Sequence, residues 1–261
     1  MARLTSTHST SSRDHGSLQK VALRALRPVF ASCWRIRTVG LENVPTSGPA
    51  ILAPNHTSVI DSFFLPAVLP RRITFVGKAE YLDDWKTRRL FPALGMIPID
   101  RSGGDASTRA LDTAARLLDD GELFGIYPEG TRARDGYLHK GHTGAARLSM
   151  QTGAPIIPVG ILGTRTIQPP DTRVPRPFRP VEVRFGKPIR PASAPDVGDT
   201  RMQLRQITDE LMFEIRALTG QDYVNTYATK GTAGADETPG RPADPEMPPR
   251  RSSAEVLRAA V

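Results

Sequence analysis

The chain has 261 residues, of which 39% are apolar and 24% charged, and this composition is typical of a folded globular protein. With a single cysteine and no internal repeat, it excludes collagen, coiled coils and disulfide-rich scaffolds. The net charge of +8 favours anionic partners, although codon usage explains an excess of Arg equally well. Because no set of stacking aromatic residues or nucleic-acid-binding motif is present, we expect no nucleic acid partner.

Both ends of the chain are predicted to be tails around one folded domain at residues 17–228. Residues 1–16 are rich in Ser and Thr and lack an apolar run, which predicts disorder, although an organellar transit peptide has a similar composition. Residues 229–261 contain five prolines and equal numbers of acidic and basic residues, and they too are predicted to be disordered. The positive charge therefore belongs to the folded domain.

Residues 17–34 have the pattern of an amphipathic helix, with apolar residues at steps of three and four and basic residues beside that stripe. Pro28 is expected to kink or divide the helix, and the charges make it too polar to span a bilayer. The helix either packs on its own domain or lies on a membrane surface. In the second case the membrane-contacting residues are Leu18, Lys20, Val21, Arg24, Arg27 and Phe30.

From residue 50 onward, short apolar runs alternate with helical patterns. Strands are predicted at 50–54, 73–77, 96–99, 122–127, 156–162 and 181–186, and helices at 106–119, 142–152 and 200–219. This alternation predicts an α/β fold with a largely parallel mixed sheet flanked by helices. Ligands of such sheets bind beyond the carboxyl ends of the strands, and the candidate functional residues follow those ends.

A histidine and a carboxylate follow the first predicted strand. His56 comes directly after residues 50–54, and Asp61 lies five residues further on, across a turn. Asp61 can fix the tautomer of the imidazole and stabilise the imidazolium, which makes His56 a candidate general base. Because the chain has no G-x-S-x-G motif to supply a serine nucleophile, the nucleophile is expected to come from the substrate.

Three cationic residues follow three further strands. Lys78, Arg101 and Arg132 each come just after a predicted strand, so their side chains can converge on one anionic group. Gly130 allows close approach of the backbone to that group, and Glu129 is available to orient an arginine or accept a hydrogen bond. The pattern favours a phosphate-binding site over isolated arginines that are merely solvated.

Four sequence blocks, in this order, resemble those of the glycerophospholipid acyltransferases, in particular the 1-acyl-sn-glycerol-3-phosphate acyltransferases. The H-x4-D block is specific here because an intact P-E-G-T-R block follows about 70 residues later. The resemblance covers residues 40 to about 190 and implies a glycerol-phosphate acyltransferase-like fold. The blocks are Asn55-His56 to Asp61, Gly95 to Arg101, Pro128-Glu129-Gly130-Thr131-Arg132 and Ile157-Pro158-Val159.

The resemblance implies that His56, with Asp61, deprotonates the free hydroxyl of a lysophospholipid, which then attacks an acyl thioester. The donor would be acyl-CoA or acyl carrier protein, and lysophosphatidic acid as acceptor would give phosphatidic acid. Neither a metal nor an organic cofactor is required. The residues implied to bind the acceptor phosphate are Arg101, Glu129, Gly130, Thr131 and Arg132, with Lys78 as a helper.

Other functions remain open. The same chemistry could act on another lysophospholipid or on a glycolipid, because the blocks define the reaction better than the acceptor. A non-catalytic lipid-binding protein would have no need of the His56–Asp61 pair. A metal site at His139 and His142 lacks an accompanying pattern of ligands, so no metal ligand is predicted. With the amphipathic helix, we expect a peripheral protein on the cytoplasmic face of a membrane, without a transmembrane helix.

Overall fold

The structure, a computed structural model, describes residues 27–78, 95–99, 106–172, 174–191 and 200–229. Of the predicted amphipathic helix, residues 27–33 are described, and they form a helix, α1, that includes Pro28. The predicted tail at 1–16 and all of the predicted tail at 229–261 except its first residue lie outside the described residues.

The sheet contains all six predicted strands together with one that the sequence analysis did not identify, at Arg35–Val39. Its strands are β1 (Arg35–Val39), β2 (Ala50–Pro54), β3 (Ile73–Lys78), β4 (Met96–Ile99), β5 (Leu123–Gly125), β7 (Ile156–Leu162) and β8 (Pro180–Phe185); β6 (Leu138–His139) lies elsewhere. Within the described residues these seven strands are ordered β1-β8-β7-β2-β5-β3-β4. Only β7 and β8 pair in antiparallel orientation there, which confirms a largely parallel mixed sheet.

The helices follow the predicted alternation. They are α2 (Asp61–Val68), α3 (Ala106–Asp119), α4 (Gly144–Thr152), α5 (Thr164–Ile167) and α6 (Thr200–Thr219), with a short 3-10 turn at Leu41–Asn43. The predictions for 106–119 and 200–219 are confirmed at both ends. The predicted 142–152 helix begins two residues late, at Gly144, and ends before Gly153, whose φ of 71° is the left-handed conformation of a glycine cap. β6 pairs with β9 (Tyr223–Val224) after α6.

Two apolar cores lie on opposite faces of the sheet. Along β2, Ala50 and Leu52 belong to one core, whereas Ile51 and Ala53 belong to the other, as the alternation of a strand buried on both faces requires. The first core packs against α1 and α2, and the second against α3, α4 and α6.

Strand direction places several connections at one edge of the sheet, called here the carboxyl edge. β2, β3, β5 and β7 run in the same direction and end there. β8 runs antiparallel to β7, and β1 runs parallel to β8, so the first residues of β8 and β1 lie at this edge as well. The residues that follow β2 and β5, which include the two most specific sequence blocks, therefore meet at the carboxyl edge.

Candidate active site

The histidine and the carboxylate predicted to pair do so at the carboxyl edge. Nδ1 of His56 lies 3.1 Å from Oδ2 of Asp61, and the same oxygen accepts hydrogen bonds from the backbone N–H groups of Thr57 (2.9 Å) and Ser58 (2.8 Å). Asp61 is fully buried at the first turn of α2, where the helix dipole and these N–H groups stabilise a carboxylate. The turn between β2 and α2 is closed around that one oxygen.

The pairing determines which nitrogen of His56 can accept a proton. A hydrogen bond from Nδ1–H to the carboxylate assigns the neutral tautomer in which Nε2 carries a lone pair. Within the described residues Nε2 has no hydrogen-bond partner, and 15% of the His56 side chain is exposed. The imidazole is thus oriented on one side and open on the other, which is the arrangement that a general base requires.

An aromatic stack supports the imidazole, and the sequence analysis did not identify it. The ring of Tyr127 stacks on His56 with centroids 3.8 Å apart and planes 19° apart, and the Tyr127 hydroxyl lies 2.8 Å from Oγ of Ser62. The ring of Phe75 also stacks on Tyr127, with centroids 5.9 Å apart and planes 20° apart. Gly125 leaves the space that Phe75 occupies, since a Cβ there would overlap the ring. Burial, with a smaller effect of the Asp61 charge, raises the pKa of Tyr127 above its ordinary value, so the phenol stays neutral.

Asn55 fixes the start of the same turn through long-range contacts. Its Nδ2 donates to the carbonyl of Ile161 (3.1 Å) and to Oε1 of Gln221 (2.8 Å), and its Oδ1 accepts from the N–H of Ile161 (2.7 Å). Gln221 also donates to the carbonyl of Gly136 (2.8 Å), next to the P-E-G-T-R loop. The residues just after α6 therefore position both sequence blocks, and no local pattern around Gln221 could have shown this.

Glu129 has a different environment from the one that the resemblance implied. Its side chain is fully buried, Oε1 accepts from the N–H of His56 (2.9 Å) and Oε2 accepts from the N–H of His139 (3.0 Å). Burial raises the pKa of Glu129 to about 7, against the opposing effect of these two hydrogen bonds. Both oxygens accept hydrogen bonds from backbone N–H groups, so this buried side chain joins its own block to the turn that carries His56.

The remainder of the P-E-G-T-R block forms an exposed turn beside His56. Gly130 has a φ of 72°, and its N–H donates to the carbonyl of Tyr127 at 3.0 Å. The N–H of Ala133 donates to the carbonyl of His56 at 2.7 Å, which joins this turn to the histidine. Thr131 and Arg132, both half-buried, lie between these two anchored points. The hydrogen bond of Ala133 thus keeps the backbone next to Arg132 close to that of His56.

Arg132 borders a small open recess beside the His56 turn. Arg134, which also lines the recess, is paired with Asp171 at 3.2 Å. Arg132 has no carboxylate partner in the part of the chain that the structure describes, so its charge is available to an anion. The lining consists of residues 57–59, Arg132, Arg134 and residues 168–172.

Two predicted cations of the site lie wholly or partly outside the described residues. Lys78 ends β3 at the carboxyl edge, but its side chain lies outside the described residues, as does Arg101. His139 and His142, considered as metal ligands, are otherwise engaged: Nε2 of His139 pairs with Asp135 at 2.9 Å, and the ring of His142 stacks on Tyr227 at 4.4 Å.

Two of the six predicted membrane-contacting residues, Arg27 and Phe30, lie within the described residues. Leu18, Lys20, Val21 and Arg24 lie outside the described residues. Phe30 differs from the expectation because its ring is buried against Phe64 (5.2 Å) and Trp34 (5.0 Å), and it therefore packs in the core. The guanidinium of Arg27 donates to the carbonyl of Leu69. No helix in the described residues is both long and apolar enough to cross a bilayer.

An oriented histidine at the end of a buried parallel strand, beside an arginine with no carboxylate partner among the described residues, is an arrangement that suits general-base chemistry on an anionic substrate. Residues 35–162 match the model of the Acyltransferase family. The sequence resemblance is therefore confirmed at the level of the family.

Relatives of known name agree with this assignment. A chloroplastic 1-acyl-sn-glycerol-3-phosphate acyltransferase of Arabidopsis thaliana is 29% identical over 162 residues, which are 62% of this chain and 45% of the relative. A 1-acyl-sn-glycerol-3-phosphate acyltransferase of Limnanthes douglasii is 34% identical over 145 residues, 55% of this chain and 51% of the relative. The chain thus spans about half the length of these two relatives.

The fold has a counterpart among solved structures. The crystal structure of the 1-acyl-sn-glycerophosphate acyltransferase PlsC of Thermotoga maritima matches with a TM-score of 0.58 and 24% identity, over 78% of each chain. This likeness confirms the α/β architecture.

Proposed function

We propose that the chain transfers a fatty acyl group from a thioester donor to the free hydroxyl of lysophosphatidic acid and so forms phosphatidic acid. The observation that carries this proposal is the His56–Asp61 pair, with Nδ1 held at 3.1 Å from Oδ2 and Nε2 open at the carboxyl edge. The names of the relatives indicate the same acceptor. A protein that only bound lipid would need cations and apolar surface but no oriented base.

The chemistry follows from the open nitrogen. Nε2 of His56 takes the proton of the acceptor hydroxyl while that oxygen attacks the thioester carbonyl, and Asp61 stabilises the resulting imidazolium. The tetrahedral intermediate then collapses: the new C–O bond remains, the C–S bond breaks, and the thiolate takes the proton from His56. General base catalysis of this kind contributes roughly 10² to 10⁴ in rate.

The developing oxyanion needs donors, and most of the nearby N–H groups are already used. Those of Thr57 and Ser58 donate to Asp61, and that of Gly130 donates to Tyr127. Among the described residues, the N–H groups of Thr131 and Arg132 have no acceptor. We therefore assign these two as candidate oxyanion donors, in a position that a preorganised site would use.

The acceptor phosphate is assigned to the recess. Arg132 lines it without a carboxylate partner, and a guanidinium can grip a phosphate with two parallel hydrogen bonds. Gly130, which is exposed, and Thr131, which is half-buried, form the turn that presents it. Arg101 and Lys78 keep their predicted role as further phosphate-binding cations, whereas Glu129 is reassigned to holding the turn.

The acceptor and the location are part of the proposal. Another lysophospholipid or a glycolipid would use the same base, and acyl-CoA or acyl carrier protein would serve equally as donor. Because the substrate resides in a bilayer, we further propose a peripheral protein at the cytoplasmic face of a membrane.

The test is the release of free CoA from a long-chain acyl-CoA by the purified full chain. Release should require lysophosphatidic acid, persist in the presence of a chelator, and fall at least 100-fold in His56→Ala. The matched control is His139→Ala, which removes a histidine that is also paired with an aspartate, at 2.9 Å, and should retain activity. Turnover by a folded His56→Ala variant close to that of the wild type, or release that needs no acceptor, would contradict the proposal.

A further inference from the structure

The connection before β8 continues from the residues that line the recess and is hydrogen-bonded to the body of the protein. We call residues 174–179 the arginine loop. The N–H of Phe178 donates to the carbonyl of Cys33 (2.6 Å), and the indole N–H of Trp34 donates to the carbonyl of Arg176 (2.9 Å). Further backbone hydrogen bonds tie Arg176 to Ile167 (2.8 Å) and Arg179 to the start of β1 (3.2 Å). The loop is therefore fixed to the body of the protein at several points.

The arginine loop displays apolar side chains to solvent. Phe178 is 72% exposed and Val174 is 78% exposed. Phe178 also has a φ of 59°, a left-handed conformation that is unusual for a bulky residue. On the adjacent helix α1, Val29 is 55% exposed and lies one turn before Cys33, to which the loop is bonded. An exposed aromatic ring at such a backbone position, with further exposed apolar side chains on the loop and on α1, makes this surface a candidate for binding a partner.

Positive charge surrounds these apolar side chains. Arg35, Arg176 and Arg179 are exposed, and none of them has a carboxylate partner in the residues that the structure describes. Arg37 is exposed as well and lies 4.0 Å from Glu182. The surface thus combines apolar side chains with an excess of cations, which is the composition of segments that lie on anionic membranes.

The arginine loop also lies on the side of the molecule where a lipid would have to enter. It leads into β8, whose first residue is at the carboxyl edge, and residues 168–172 of the same connection line the recess that contains Arg132. Oγ of Ser58 donates to the carbonyl of Gln168 at 3.0 Å, which joins this connection to the His56 turn.

We propose that the arginine loop and the exposed end of α1 form a membrane-binding surface, with Phe178 inserted among acyl chains and the surrounding arginines on anionic headgroups. The surface is distinct from residues 18–24 and would hold the recess against the bilayer that contains the acceptor. This membrane-binding surface depends on the proposed acyltransferase function only for the identity of the acceptor. An acidic protein would also suit the arginines, but it gives no reason to expose Phe178, Val174 and Val29 together.

The test is co-sedimentation of the full chain with vesicles of phosphatidylcholine and phosphatidylglycerol that contain neither lysolipid nor thioester. Phe178→Asn keeps a residue that tolerates positive φ and removes the ring, and it should weaken partitioning by about tenfold or more. The Arg176→Glu/Arg179→Glu variant should weaken it at least about 25-fold, from about fivefold for each arginine. Melting temperature checks that each variant is folded.

Matched controls come from the opposite sides of the molecule. Met202 is 68% exposed on α6, across the sheet, and Met202→Asn should bind vesicles as the wild type does. Lys187 and Arg190 are exposed beyond the other end of β8, so Lys187→Glu/Arg190→Glu changes the net charge equally without reaching the arginine loop.

The outcomes separate the alternatives. Wild-type partitioning of Phe178→Asn, or equal losses in the control variants, would overturn the proposal. Normal vesicle binding by Arg176→Glu/Arg179→Glu, combined with a raised KM for acyl carrier protein, would also overturn the proposal. In that case the arginine loop would bind an acidic protein. Failure of the proposed function is visible separately, as a wild-type chain that binds vesicles and releases no CoA.

Discussion

Replacing Asp61 by Asn separates the charge of the buried carboxylate from its hydrogen bonds. The amide oxygen of Asn can still accept from the N–H groups of Thr57 and Ser58, so the turn remains closed, but the charge facing the imidazolium is lost. With Nδ1 and Oδ2 3.1 Å apart, the two charge centres are separated by about 4 Å, and an effective dielectric constant of about 20 gives an interaction of about 4 kcal/mol. We therefore expect kcat to fall about 10³-fold.

The assay measures kcat and the KM values for acceptor and donor from the rate of CoA release. Both KM values should change little, because the charge acts on a cation that forms only during the reaction. Asp135→Asn is the matched control, since Asp135 also pairs with a histidine, at 2.9 Å, but has a side chain that is 46% exposed. A folded Asp61→Asn enzyme with kcat within tenfold of the wild type, or an equal loss in Asp135→Asn, would refute this reasoning.

Further predictions concern the cations, the buried glutamate and the amphipathic segment. Arg132→Ala and Arg101→Ala should raise KM for the acceptor more than for the donor, and Arg132→Lys should stay impaired; unchanged acceptor kinetics would exclude the assignment. The pKa of Glu129 is raised from 4.5 to about 7, so the folded protein binds this proton more tightly than the unfolded chain does. The resulting stabilisation is fully present below pH 4.5 and is lost as the pH rises through 7. Thermal melts should therefore show wild-type stability declining from about pH 5 to about pH 8 relative to Glu129→Gln, and parallel profiles would contradict this. Lys20→Glu/Arg24→Glu should reduce co-sedimentation with anionic vesicles, most clearly at low salt, and wild-type binding would assign the segment to packing.

The sequence predicts the central sheet well because its strands are buried on both faces. Residues 50–54 and 156–162 are continuous apolar runs, and the structure has strands with these bounds. β1 was missed because it lies at the edge of the sheet and none of its residues is buried, with only Ile36 half-buried. A strand at the edge of a sheet buries fewer side chains, so its sequence shows a weaker apolar pattern.

The candidate site could be predicted as a set of residues but not as a set of contacts. The five-residue spacing of His56 and Asp61 predicts their pairing, because a single turn joins them. The orientation of Glu129 depends on N–H groups 73 and 10 residues away in sequence, so its block gave no sign that it points into the protein. Gln221 lies 166 residues from Asn55, and their hydrogen bond arises only from the packing of α6 on the sheet.

The pairing of β1 has a consequence for the order in which the protein folds. Within the described residues β1 pairs only with β8, and Trp34 bonds to a residue 142 positions later in the chain. Closing so long a loop costs more conformational entropy than pairing β3 with β4 or β7 with β8, which lie close together in the sequence, so we expect β1 to join the sheet late. Until β1 has paired with β8, the arginine loop lacks its contacts with Cys33, Trp34 and β1 and keeps, among the hydrogen bonds named above, only that from Arg176 to Ile167. A growing chain would then present the complete surface to a bilayer only after the rest of the sheet has formed.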